Sequence, residues 1–134
     1  MKVALSGAAG GLGTVLRKEL LARGVDLRSA GHEPLIPLVE HEDICHGDLQ
    51  SPVVVDRLLS GVEVLIHMAG TSTEQGLAEI VNNNLLALVA VYEGARRNGV
   101  RRIVFASSNH AIGMHSVNTR LSLDCDFRPD GFYG

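Results

Sequence analysis

Three glycines spaced three apart, Gly7, Gly10 and Gly13, stand between a short apolar run, Val3 to Leu5, and a helically spaced apolar set, Leu12, Val15, Leu16, Leu20 and Leu21. That order predicts a strand buried on both faces, a tight turn, and a helix that begins inside the glycine run. The backbone N–H groups of such a turn, from Gly7 through Gly10, Gly11, Leu12 and Gly13, and the positive end of the helix dipole both favour a phosphate. Glycine is needed there because a Cβ would block the approach of backbone to a pyrophosphate. The bland alternative is a strand–helix turn that requires positive φ and binds nothing. The strand before the glycines and the helix after them favour a dinucleotide.

Other polar residues fall just past the remaining apolar runs. Asp48-Leu49 follows a short strand; the carboxylate either accepts from an adenine amino group or caps the turn before Ser51. His67-Met68-Ala69-Gly70-Thr71-Ser72 follows another. Ala69-Gly70 is small enough to pass close to a flat ring or ribose, and His67 reads as a packed strand residue with no evident partner rather than a base. Phe105-Ala106 leads into Ser107-Ser108-Asn109-His110, two hydroxyls, an amide and an imidazole that either hold a hydroxylated substrate or form an ordinary turn. Where an acidic residue would meet the adenosine ribose, the chain has Gly31, with Glu33 displaced; this leaves the choice between NAD and NADP open. Arg28 lies within the strand and could face either way.

The elements that must position these residues are readable in outline. A first helix spans about Gly11 to Ala22 and stops at Gly24. Strands follow over Val25–Ala30 and Asp43–Gly47, separated by a loop that contains Pro34 and Pro37. Ser51 as N-cap and Pro52 at the first helical position start a helix that covers Val53–Leu59 and ends at Gly61. A strand over Val62–Met68 and a loop over Ala69–Gln75 lead to a long helix, Leu77–Arg97. Ile80, Leu85, Leu88, Val91 and Tyr92 are its inward candidates, and Asn98-Gly99 ends it. A fifth strand spans Arg102–Ala106, and no periodic element is evident from Ser107 onward. Alternating strands and helices imply right-handed crossovers and an α/β, Rossmann-type doubly wound parallel sheet, with strand order 3-2-1-4-5 and ligands at the carboxyl ends of the strands.

Composition sets the outer bounds. The chain of 134 residues is long enough for one domain with a real core. A net charge of −3 gives no electrostatic footprint for nucleic acid. No apolar run is long enough to span a bilayer, and no signal-peptide pattern is evident. Cys45 and Cys125 are far apart and without C-x-x-C spacing, so free thiols and a cytoplasmic setting are expected.

Taken in order, Gly7-x-x-Gly10-x-x-Gly13, Asp48-Leu49, His67-Met68-Ala69-Gly70, Asn84, Ser107-Ser108 and Tyr133 resemble the extended short-chain dehydrogenases/reductases, the NAD-dependent epimerase/dehydratase family. Within that family, Arg102 to His110 and Arg128-Pro129-Asp130-Gly131-x-Tyr133-Gly134 are similar to uronate dehydrogenases. The resemblance implies a nicotinamide cofactor, NAD with NADP not excluded, and oxidation of a hexuronic acid (galacturonate or glucuronate) at C1 to an aldarolactone. It implies that Tyr133 is the general acid/base and that Ser108 hydrogen-bonds the reacting oxygen. Asn109, His110 and Ser72 would contact the sugar acid, and Asn84 would order the active-site backbone through water. Gly7, Gly10, Gly11, Leu12 and Gly13, with Asp48, Leu49, Met68, Ala69 and Gly70, would hold the cofactor.

The family motif places a lysine four residues after the tyrosine, where its charge favours the phenolate and its amine binds the nicotinamide ribose. That position lies past Gly134. The chain is therefore expected to be the N-terminal part, residues 1–134, of such an enzyme, inactive or incomplete alone, with the substrate-binding part missing. The fifth strand then becomes a sheet edge and the long helix lacks a neighbour. A homo-oligomer is expected by analogy. Two other functions share these residues: a nucleotide-sugar epimerase or dehydratase of the same family, and a dinucleotide-binding module without catalysis.

Overall fold

The computed structural model describes residues 1–134. Five strands, β1 (Lys2–Ser6), β2 (Asp26–Gly31), β3 (Asp43–His46), β4 (Val64–His67) and β5 (Arg102–Phe105), form one sheet in the order β3-β2-β1-β4-β5. Every pairing is parallel, with Val3 opposite both Leu27 of β2 and Val64 of β4. This is the order expected from the sequence. The helices are α1 (Gly11–Ala22), α2 (Pro52–Leu59), and one continuous rod made of α3 (Leu77–Ile80), a π-helical stretch (Val81–Leu86) and α4 (Ala87–Arg97).

Side-chain alternation along the strands divides the core into two layers. Ala4, Ala30, Cys45 and Leu65 meet Val55, Leu58 and Leu59 of α2 and Val91 and Ala95 of α4 on one face. Val3, Leu5 and Leu27 meet Ala8 and Leu21, the latter from α1, on the other. The fit between α2 and α4 depends on Gly94, where a Cβ would run into a methyl of Val55.

Helix ends follow local chemistry. Gly24 takes φ +71°, its N–H reaches the Leu21 carbonyl at 2.9 Å, and the Val25 N–H reaches that of Leu20 at 3.1 Å. That pair of bonds is a Schellman motif. The same arrangement closes α4, where Gly99 and Val100 donate to Arg96 and Ala95. Ser51 occupies the N-cap position of α2 with extended backbone, but its side chain makes no cap hydrogen bond; Pro52 starts the helix without it.

Two of the expected inward residues of the long helix are not buried: Leu85 is 53% exposed and Tyr92 42%, whereas Ile80 and Val91 are buried. The wider π turn between them changes which side of the rod each later residue faces, which a uniform helical spacing does not anticipate. β5 is an edge strand, with Val104 and Phe105 about half exposed.

Buried charge ties the β2–β3 side together. Glu42 accepts from Arg17 through both its oxygens, from the Ser29 hydroxyl at 2.6 Å and from the Leu38 N–H at 2.8 Å. Burial alone would push Glu42 up, but these donors more than offset it and hold its carboxyl below the usual range. Arg28 faces away from the strand ends. It pairs with Asp43 at 2.6 Å and donates to the carbonyls of Arg57, Leu58 and Ser60 at the end of α2.

Candidate functional site

The glycine turn is built so that backbone can lie against backbone. Gly7 has φ +72°, and a Cβ there would sit 2.7 Å from the Met68 and Ala69 main chain. A Cβ on Gly13 would overlap the Gly7 carbonyl, so α1 starts directly on the turn. The Gly10 N–H is taken by the Gly7 carbonyl at 3.0 Å, and the Thr14 N–H by that of Gly10 at 2.8 Å. Between them, the first-turn N–H groups of Gly11, Leu12 and Gly13 have no acceptor four residues back, and no side chain caps them. They open onto a cleft with the positive end of α1 behind them.

That cleft, about 490 Å³, runs from the glycine turn over Met68 to Ser72 and on to Phe105, Ser107 and Tyr133. A second, about 630 Å³, continues past Ala30–Glu33 and Gly47–Gln50. Gly7, Gly10 and Met68–Thr71 belong to both, so the two form one trough across the carboxyl ends of the strands. Its centre lies between β1 and β4, where the sheet order reverses direction, the expected ligand crevice of an open parallel sheet.

The floor is polar and pinned. His67 is buried, and its Nδ1 meets the Ser6 hydroxyl at 2.7 Å. Burial drives its pKa down to about 4, so it is a neutral ring packed 6.0 Å from Phe105, as the packed-residue reading expects. Its partner Ser6, from the neighbouring strand, was not evident in the sequence. Asn84 lies on the π stretch and binds both polar groups of the Thr71 main chain, accepting from its N–H at 2.7 Å and donating to its carbonyl at 3.0 Å. It holds this backbone by direct contact. Asn83 adds a bond to the Thr71 hydroxyl. Gly70, at φ +143°, leaves the space that Asn84 fills.

The remaining candidates separate. Asp48 makes the turn: its carboxylate accepts from the Gln50 N–H at 2.9 Å and its carbonyl from the Ser51 N–H at 3.0 Å, while it and Leu49 line the trough. Gly31 is buried, and a Cβ there would meet the Glu33 carbonyl at 3.0 Å and the Leu35 side chain; it lines the trough together with His32 and Glu33. Ser72, Ser107 and Tyr133 line the trough, and Ser108, Asn109 and His110 follow directly after Ser107 in the chain. The Ser108 hydroxyl accepts from the His110 N–H at 3.2 Å and caps a 3₁₀ turn, Asn109–Ile112. The His110 ring is edge-on to Tyr133, centroids 5.4 Å apart, and its Nδ1 binds the Asp130 carboxylate at 2.9 Å. Glu74, whose carboxylate accepts from the Phe132 and Tyr133 N–H groups, carries no signal in the sequence. Only the fold brings it to the tyrosine, 59 residues on.

A doubly wound parallel sheet with an open glycine turn and a trough along its strand tips defines the Rossmann class of nucleotide-binding folds. The chain belongs to the NAD dependent epimerase/dehydratase family, whose model matches residues 3–134. It is 42% identical to the uronate dehydrogenase of Pseudomonas putida over 134 residues, 99% of this chain and 50% of that protein. The crystal structure of uronate dehydrogenase from Agrobacterium tumefaciens superposes with a TM-score of 0.91 at 39% identity, covering 98% of this chain and 50% of that one. A tyrosine-to-alanine mutant of that enzyme, complexed with NAD, superposes with a TM-score of 0.91 at 38% identity over the same shares, 98% and 50%. The chain thus spans about half the length of the relatives it matches. No helix is long and apolar enough to cross a membrane.

Proposed function

We propose that this chain supplies the dinucleotide-binding half and the acid/base tyrosine of an NAD-dependent dehydrogenase that oxidises a hexuronic acid, galacturonate or glucuronate, at C1 to an aldarolactone. The observation that carries the reading is the trough itself. It runs from open first-turn amides to a tyrosine, in a chain 42% identical to a uronate dehydrogenase.

The residues fit such a cofactor because the turn is a cradle that a Cβ at Gly7 or Gly13 would destroy. Bound NAD supplies the hydride acceptor. The N–H groups of Gly11, Leu12 and Gly13 hold the pyrophosphate, and Gly7 and Gly10 let the backbone approach it. Asp48 and Leu49 flank the adenine end. Met68, Ala69 and Gly70 form the floor, kept in place by the grip of Asn84 on Thr71. Glu33 at the trough wall disfavours the extra phosphate of NADP.

Tyr133 takes the proton from the substrate hydroxyl as hydride leaves carbon. Ser108, whose oxygen already accepts from the His110 N–H, keeps its own O–H free to donate to the reacting oxygen. Ser72, Asn109 and His110 bind the hydroxyls and carboxylate of the sugar acid. Residues 1–134 act as the cofactor-binding part, and the substrate-binding part, with the lysine that supports the tyrosine, comes from the additional length that the relatives have. These 134 residues by themselves turn over little or nothing. A cytoplasmic setting, with Cys45 and Cys125 as free thiols, accompanies this reading, as does self-association along the exposed face of the long helix.

Calorimetry of the 134-residue chain with NAD, ADP-ribose and NADP tests the core of it. NAD and ADP-ribose are expected to bind and NADP to bind more weakly. Failure of all three overturns the reading. Reduction of NAD with galacturonate or glucuronate, by a polypeptide that adds the rest of the relatives' length, tests the substrate; no reduction with either acid removes it.

A further inference from the structure

Tyr133 lies on a segment without regular structure, and what holds it is not its own neighbours. Hydrogen bonds run from the Arg128 N–H to the Ala111 carbonyl at 2.9 Å, from the Met114 N–H to the Arg128 carbonyl at 2.9 Å, and from the Asp130 N–H to the His110 carbonyl at 3.2 Å. These fasten the start of the segment to the 3₁₀ turn. The Asp130 carboxylate on His110 Nδ1 fastens it again. Beyond Asp130 the anchorage passes to one side chain from elsewhere in the fold. Glu74, in the loop between β4 and α3, accepts from the Phe132 N–H at 2.9 Å with one oxygen and from the Tyr133 N–H at 3.0 Å with the other. Gly131 makes room for it, since a Cβ there would overlap the Glu74 carboxylate. Two charge-assisted bonds from adjacent amides to one carboxylate fix the direction of the chain as well as its place.

We propose that Glu74 is a positioning residue for Tyr133: its carboxylate holds the consecutive N–H groups of Phe132 and Tyr133 and so docks the tyrosine on the loop that floors the trough. The loop that carries Ser72 and the segment that carries Tyr133 then move as one piece, and the phenol keeps a fixed place beside the strand tips. The assignment rests on the reading of Tyr133 as the acid/base. It concerns a different contact from those that hold the dinucleotide.

The test uses the 134-residue chain itself. Amide exchange by NMR reads the two bonds directly. The chain has two tyrosines and no tryptophan, so in a Tyr92→Phe background the fluorescence is that of Tyr133 alone. In Glu74→Ala, the Phe132 and Tyr133 amides are expected to exchange about tenfold faster or more, from the loss of bonds to a charged acceptor. Acrylamide quenching of Tyr133 rises, while β1 and β4 amides and NAD affinity stay as in the parent. Glu74→Gln, which keeps one acceptor oxygen, falls between the two. Unchanged exchange and quenching in Glu74→Ala overturns the assignment. If that variant fails to fold, parental exchange and quenching in Glu74→Gln overturns it instead. Absence of NAD binding by the parent chain would defeat the proposed function while leaving the Glu74 result to stand or fall on its own.

Discussion

At the scale of single residues, His67 shows how burial rather than residue type sets a role. An imidazole at the tip of a strand beside a cofactor trough has the chemistry of a base, yet this one is buried, bound to Ser6 and neutral, with a pKa pushed from 6.5 to about 4 by burial. The unfolded chain binds a proton at this site between those two values and the folded chain does not. Stability from His67 is therefore complete above about pH 6.5 and is lost as the pH falls toward 4. A shift from 6.5 to about 4 corresponds to roughly 3 kcal/mol. Urea unfolding followed from pH 7 to 4 is expected to show that loss in the parent chain and to lack most of it in His67→Gln. Glu42 and Asp43, whose carboxyls are held low against the pull of burial by Arg17 and Arg28, begin to weaken the fold only as the pH falls to their ordinary values of 4.5 and 3.8, at the acid end of this window. Equal slopes in the two proteins across this window would contradict the account.

At the scale of elements, the informative piece is the long helix. Its apolar periodicity identifies it, but the chain does not wind uniformly: residues Val81–Leu86 form a π turn, and Asn84 sits in it. The turn directs the amide at the Thr71 main chain, where it satisfies one donor and one acceptor of a loop that has no strand neighbour. π turns recur at functional sites because they re-aim a side chain in this way. Asn84→Asp keeps an acceptor for the Thr71 N–H but sets an oxygen against the Thr71 carbonyl in place of a donor. It should cost about 1–3 kcal/mol in urea unfolding and weaken NAD binding, since Met68–Thr71 is floor for both halves of the trough. Full stability with unaltered NAD affinity in this variant would show that the loop keeps its shape without the amide.

At the scale of the whole molecule, the sheet ends in a bare edge. Val104 and Phe105 of β5 are about half exposed, and along the rod Leu85, Leu86, Val89 and Tyr92 are each more than two-fifths exposed. An apolar face of this size next to an unpaired strand invites association. Size-exclusion chromatography at two concentrations is expected to show a species larger than a 14.3 kDa monomer. A sharp peak marks specific pairing and a broad, concentration-dependent smear marks edge-to-edge aggregation. A clean monomer at both concentrations would mean that the exposed surface is tolerated as it stands.

The amino-acid sequence alone determined what depends on neighbours within a few residues. Gly24 and Gly99 end helices through bonds to residues three to five back, Pro52 starts one, and the period of apolar residues separates strands from helices. Together with the alternation of the elements, those local rules were enough for the strand order and for the tight glycine turn at Gly7–Gly13. Tertiary structure alone decided which polar side chains meet. Ser6 finds His67, Asn84 finds Thr71, Asp130 finds His110 and Glu74 finds the Tyr133 amide across gaps of 61, 13, 20 and 59 residues. Local periodicity reports the burial of a face, whereas the partner of a hydrogen-bonding group is fixed only when distant backbone has been brought within 3 Å of it.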